Sequence, residues 1–171
     1  MNGKENLESV MAAIRKDGKA FFYTRGYSML PMLKEGRDIS VLVPLDRPAE
    51  KGEVVLFVRR YRDDQLVLHR VIRRRDDGTY IIRGDNTYYN EPVKEENVLA
   101  LLDGFFRKGR YHSCKDSRRY RIYAVLRMFF FPLRKFTRQT LRVAAAKIKN
   151  NVFHLNNLHL DDILGRNRSE K

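Results

Sequence analysis

Punctuation is what most constrains the fold of this chain. From Lys19 to about Tyr111, short apolar or alternating segments are interrupted every few residues by glycine, proline or aspartate. Segments 20–24, 38–44, 53–59, 66–74, 79–83, 97–107 and 110–112 have strand length and are rich in Val, Ile, Leu, Phe and Tyr. Asp76-Asp77-Gly78 separates two of them as a hairpin turn would. Frequent turns leave no room for long helices, so the pattern predicts a mainly β-domain. Its strands should be mostly antiparallel, folded into a small barrel or sandwich.

Both ends of the chain have a different period. Residues 5–17 place Leu7, Val10, Met11 and Ile14 on one helical face, and Gly18 is a suitable stop. Beyond Lys115, turn residues become scarce. Ile122, Val125, Leu126, Phe129, Leu133, Phe136, Thr140 and Val143 recur at intervals that define one face of a helix. Pro132 should kink or break it, and 152–164 reads as a last short helix. The expected organisation is an N-terminal helix over 1–18, a β-domain over 19–115 and a basic, amphipathic, helical C-terminal extension over 116–171. A cut near Lys115 should therefore leave a folded β-domain.

Charge follows the same division. The net charge is +14, yet residues 1–106 hold 18 Lys and Arg against 17 Asp and Glu, whereas 107–171 hold 17 against 4. An anionic partner would therefore meet the tail. Phe129, Phe130, Phe131 and Phe136 among so many cations read as an interfacial membrane helix, with an anionic membrane surface as the partner. Nucleic acid is the alternative, but no recognised nucleic-acid motif accompanies the charge.

Other classes are excluded by what is missing. One cysteine, Cys114, allows no intrachain disulfide. No His or Cys pair has metal-ligand spacing, so neither a metal nor another cofactor is expected. The opening residues hold no apolar stretch before Lys16 and Lys19, and no uncharged run reaches the ~18–20 residues of a membrane span. The expected location is cytoplasmic or peripheral to a membrane.

Chemistry concentrates in the β-region. Ser28 lies in Gly26-Tyr27-Ser28-Met29-Leu30-Pro31, a turn punctuated by glycine and proline. A serine there is ordinarily a turn or cap residue. Here Gly26 permits close backbone approach, and Pro31 fits the first turn of a helix. The Ser28 hydroxyl should be exposed and its N–H free to help hold an oxyanion. Gly26, Tyr27 and Met29 would border the substrate. His69 interrupts the apolar segment Gln65–Ile72 and shares a strand face with Val67 and Val71. Its commonplace role would be a structural hydrogen bond. Together with Asp85 in Gly84-Asp85-Asn86, these are the residue types of a nucleophile, its base and an orienting acid.

Four motifs carry a family resemblance: Gly26–Leu33, Gly52-Glu53-Val54-Val55, His69-Arg70-Val71-Ile72 and Gly84-Asp85-Asn86. In that order they resemble the boxes of the signal peptidase I family and of the related LexA-repressor peptidases, over about Phe22 to Asp103. Most bacterial signal peptidases and the LexA group have lysine where this chain has His69. The Ser-His form resembles the endoplasmic-reticulum, archaeal and sporulation-type branch. The resemblance implies a serine endopeptidase cleaving a peptide or leader segment, with Ser28 as nucleophile and His69 as general base. That branch carries a second acid about six residues after its Gly-Asp-Asn aspartate, and Glu91 stands there. Two arrangements are open: Asp85 shapes the site while Glu91 holds the imidazole, or Asp85 does both. The family's membrane span near the serine is not matched by the short helix 5–17. The Ala-Gly and Cys-Gly self-cleavage dipeptides of the LexA group do not occur. A non-catalytic β-domain that binds a peptide or a membrane is the alternative.

Overall fold

The computed structural model describes residues 3–60, 64–141 and 145. Helix α1 (Gly3–Asp17) is followed by strands β1 (Ala20–Tyr23), β2 (Asp38–Pro44), β3 (Val54–Arg59), β4 (Gln65–Arg74), β5 (Tyr80–Arg83) and β6 (Glu91–Val93). A single 3-10 turn (Glu95–Asn97) leads into β7 (Val98–Arg107), β8 (Arg110–Ser113) and α2 (Arg118–Phe129). Helical backbone resumes at 131–141.

The strands form one antiparallel sheet in the order β1-β2-β7-β3-β4-β5-β6, with β8 also pairing to β7. The fold is mainly β, with helices at both ends of the chain, as the punctuation predicts. The sheet does not close into a barrel, because β1 and β6 remain as its two ends. It curls instead. Although β4 and β5 separate β3 from β6, Arg59 at the end of β3 reaches Glu91 at the start of β6. Register shifts at Val41/Leu42, Leu56/Phe57 and Val71/Arg73 strengthen the twist this requires.

Alternation along β3 feeds two cores. Val54 and Leu56 join Leu42, Leu68, Ala100 and Leu102, capped by Val10 and Ile14 of α1. Val55 and Phe57 join Val67, Val71, Tyr80, Ile82, Val93 and Val98 on the other face. The β4–β5 hairpin turns where expected, with Gly78 at φ +80° and Arg75 N–H donating to Thr79 O over 2.9 Å.

The tail departs from expectation. The chain divides into two units, Met1–Phe129 and Phe130–Lys171, so the boundary expected after residue 115 falls inside the first unit. The reason is α2. Tyr120 and Tyr123 pack against the first core, and Ala124 and Met128 lie over Gly52. The helix ends at Phe129, and Pro132 occupies the first turn of the next helical segment. There its missing N–H costs no intrahelical bond. Val143 and the helix expected over 152–164 lie outside the described residues. Among the described residues, no helix is long and apolar enough to cross a membrane.

Candidate active site

Ser28 sits in the connection between β1 and β2, half-buried, at the first of several consecutive turns. The helix that Pro31 suggested does not form. Met29, Met32 and Leu33 instead sink into the first core and fix the turn from below. Its far end is held by charge. Arg107 donates to Met32 O (2.6 Å) and to Asp38 Oδ1 (2.7 Å), while Arg37 donates to Pro31 O (3.1 Å) and Asp38 Oδ2 (2.7 Å). Burial pushes the Asp38 carboxyl up, but hydrogen bonds from Arg107 and Arg37 outweigh it and hold the group below its ordinary range.

His69 lies in the middle of β4 and is 1% exposed. Its neighbour across the ladder is Val55, so its ring faces the second core, and it tilts against Phe57 at 5.8 Å between centroids. Nδ1 lies 3.0 Å from Oε1 of Glu91. Neither ring nitrogen makes a well-aligned hydrogen bond to a described residue. Glu91 is further gripped by Arg59, whose Nε donates to Oε2 over 2.7 Å and whose Nη2 donates to Oε1. Burial raises the Glu91 carboxyl, but His69 and Arg59 overcome it and bring it down to about 2. Glu91 is therefore ionised at any pH at which the imidazole could use it.

Gly84 brings serine and histidine together. A Cβ added there would lie 2.7 Å from the Ser28 carbonyl oxygen and 2.9 Å from His69 Nε2. Those two atoms are thus no farther apart than the sum of the two distances. Asn86 N–H donates to the Ser28 oxygen over 2.7 Å, tying the Gly84-Asp85-Asn86 loop to the serine turn. Among the described residues, none hydrogen-bonds to the Ser28 N–H or hydroxyl. His69 Nε2 is buried and likewise lacks a partner among them. A buried nitrogen without a partner is rare in a folded protein and calls for a bound water or another polar group beside it.

Asp85 is engaged elsewhere. Arg70 donates from Nε to Oδ1 and from Nη2 to Oδ2, both at 2.7 Å, and Tyr123 donates its hydroxyl to Oδ2 at 2.9 Å. Arg70 is itself almost wholly buried, donating also to Gly52 O (2.6 Å) and Tyr120 Oη (3.0 Å). Its guanidinium stacks over Tyr120 and Tyr123 at 5.5 and 5.6 Å. Burial opposes its charge, but Asp85 more than compensates and leaves it more firmly protonated than a free arginine. Successive side chains of a strand point to opposite faces, so His69 and Arg70 serve two sides of one sheet.

The remaining expected border residues have mixed fates. Gly26 adopts φ +77°, a conformation that glycine accepts without strain, and its N–H is taken by Glu35 Oε2 at 2.7 Å. The Tyr27 ring is exposed beside Ser28, whereas the Met29 side chain is core. Sequence reasoning assigned no role to Arg59, Arg70, Tyr120 or Tyr123. The available signal was an arginine flanking the histidine inside an apolar strand, since a buried arginine demands a carboxylate. Among the described residues, no group of three or more potential ligands could hold a metal ion. Comparison with protein-family models and with curated proteins finds no match for this chain.

Proposed function

We propose that this chain is a serine endopeptidase of the signal peptidase-like kind, working through Ser28 and His69 with Glu91 behind the imidazole. The observation that carries the reading is the convergence at Gly84 of the Ser28 backbone and a buried His69 Nε2 that lacks a partner among the described residues, with ionised Glu91 beside Nδ1. Ser28 Oγ attacks the scissile carbonyl and His69 Nε2 takes its proton. The imidazolium so formed is oriented and stabilised by Glu91, then returns the proton to the leaving amine. The Ser28 N–H helps to hold the oxyanion. Gly26 cannot supply the second donor, because Glu35 occupies its N–H.

The substrate is an extended peptide. Strand β1 is one end of the sheet, stops five residues before Ser28 and presents the exposed rings of Phe21 and Tyr23, an edge on which a peptide can add as a strand. A serine-reactive phosphonate tests the reading on the full chain. Wild type should be labelled at Ser28, Ser28→Ala not at all, and His69→Ala slower by roughly 10²–10⁴-fold, the usual contribution of a general base. An unlabelled wild type, or label that persists in Ser28→Ala, refutes the mechanism.

A further inference from the structure

Helix α2 has two apolar faces, and among the described residues the core of the first unit uses one of them. Tyr120, Tyr123, Ala124 and Met128 turn inward, while Arg127 donates to Leu30 O at 3.3 Å. At about 100° per residue, Ile122, Val125, Leu126 and Phe129 fall within an arc of about 100° centred opposite that inner face. They are 59%, 59%, 48% and 73% exposed. Among the described residues, Ile122, Val125 and Leu126 belong to neither core of this unit although they are large and apolar. Such a patch on a soluble surface marks an interaction site.

The charge around the patch selects its occupant. Arg119 and Arg121 flank the arc within the first turn of α2, and Arg118 lies at its N-terminal end. From Ser117 to Leu160 the sequence holds ten Lys and Arg and no Asp or Glu. A surface that is apolar in the centre, cationic at its margins and free of acids along so long a segment complements an anionic lipid bilayer. Each basic residue near an anionic leaflet contributes on the order of 1 kcal/mol, and the apolar side chains enter the acyl boundary. A second copy of the chain is disfavoured, because it would bring two such cationic margins together.

We propose that the outward face of α2 is a docking surface for anionic membranes. Leu126 and Val125 form its two edges midway along the helix, and α2 lies flat beside the serine turn that Arg127 touches. This inference stands apart from the peptidase reading, because lipid binding needs neither Ser28 nor His69. Sedimentation of the full chain with phosphatidylcholine vesicles, with and without phosphatidylglycerol, tests it. Wild type should pellet with the anionic vesicles only, and salt should weaken but not abolish binding, because the apolar contacts are not screened. A Val125→Glu/Leu126→Glu variant, altered only at exposed positions, should bind roughly tenfold more weakly or worse while melting like wild type.

The chain contains no tryptophan. A Val125→Trp variant therefore carries one reporter, and its emission should shift to the blue on anionic vesicles. Equal binding by wild type and the double-glutamate variant would reduce the effect to charge alone and overturn the proposal. So would an indole emission from the Val125→Trp variant that ignores the vesicles. A wild-type dimer that the double-glutamate variant converts to monomer without lipid would assign the face to a second copy instead.

Discussion

At the scale of single residues, the two carboxylates near the histidine have separate duties, and substitutions should tell them apart. Asp85 is half of a buried ion pair whose other half, Arg70, has no access to water. Asp85→Ala should therefore destabilise the protein by about 3–5 kcal/mol, measured by denaturant unfolding. Glu91→Gln should instead act mainly on rate, lowering phosphonate labelling far more than Asn90→Ala does. Its pH signature is also specific. The folded Glu91 carboxyl sits at about 2, below its ordinary 4.5, so its contribution to stability is complete above about pH 4.5 and is lost as pH falls toward 2. The gap in melting temperature between wild type and Glu91→Gln should be constant above pH 4.5 and close below it. A gap that widens on acidification would contradict the assignment. Gly84→Ala provides a third check. Its methyl would intrude between the Ser28 carbonyl and His69 Nε2, so labelling should fall by an order of magnitude or more. Wild-type labelling by this variant would mean that the two residues are not held together by that contact. The sequence makes the serine, the histidine and both acids visible as residue types. It could not rank the acids, because Asp85 lies in a loop, where strand alternation says nothing about direction.

At the scale of elements, α2 changes the status of the C-terminal region. The sequence marks the helix clearly, yet it points to the outward stripe Ile122, Val125, Leu126 and Phe129 as the defining face. The face that docks is built from two tyrosines, an alanine, an arginine and a methionine. Apolar periodicity cannot choose between two stripes on one helix, and tyrosines that hydrogen-bond to a buried ion pair, Tyr120 accepting and Tyr123 donating, do not register as a hydrophobic signal. The consequence is measurable. A chain ending at Lys115 would strip Tyr120 and Tyr123 from Arg70 and Asp85 and uncover Gly52, so it should be insoluble or far less stable than wild type. A chain ending at Phe129 should melt close to wild type and keep full phosphonate labelling. Tyr123→Phe should cost about 1.5–3 kcal/mol, the range for a hydrogen bond to a charged group. If the chain ending at Lys115 folds normally, α2 is an accessory and the boundary after residue 115 holds.

At the scale of the whole molecule, the punctuated region made the antiparallel sheet legible but not its closure. Strand lengths and turns say which segments pair locally. They do not say whether β1 meets β6, which depends on accumulated twist and on side chains such as Arg59 and Glu91 that reach across the curl. The charge division is equally plain in the sequence, but the structural boundary does not follow it. The first unit, through Phe129, already carries part of the basic excess in Arg118, Arg119, Arg121 and Arg127. The chain ending at Phe129 should therefore still pellet with anionic vesicles, more weakly than full length and with a shallower salt dependence.

If Ser28 and His69 act as proposed, the adjacency of His69 and Arg70 makes serine labelling a gauge of folding fidelity. A slip of one residue in the pairing of β4 would turn the guanidinium toward Glu91 and the imidazole toward Asp85, exchanging the working parts of the two faces. Such a chain could keep much of its strand content and still be chemically silent. In refolded material, the fraction of molecules that a stoichiometric serine reagent titrates would on that reading count those in correct register, which circular dichroism alone cannot do.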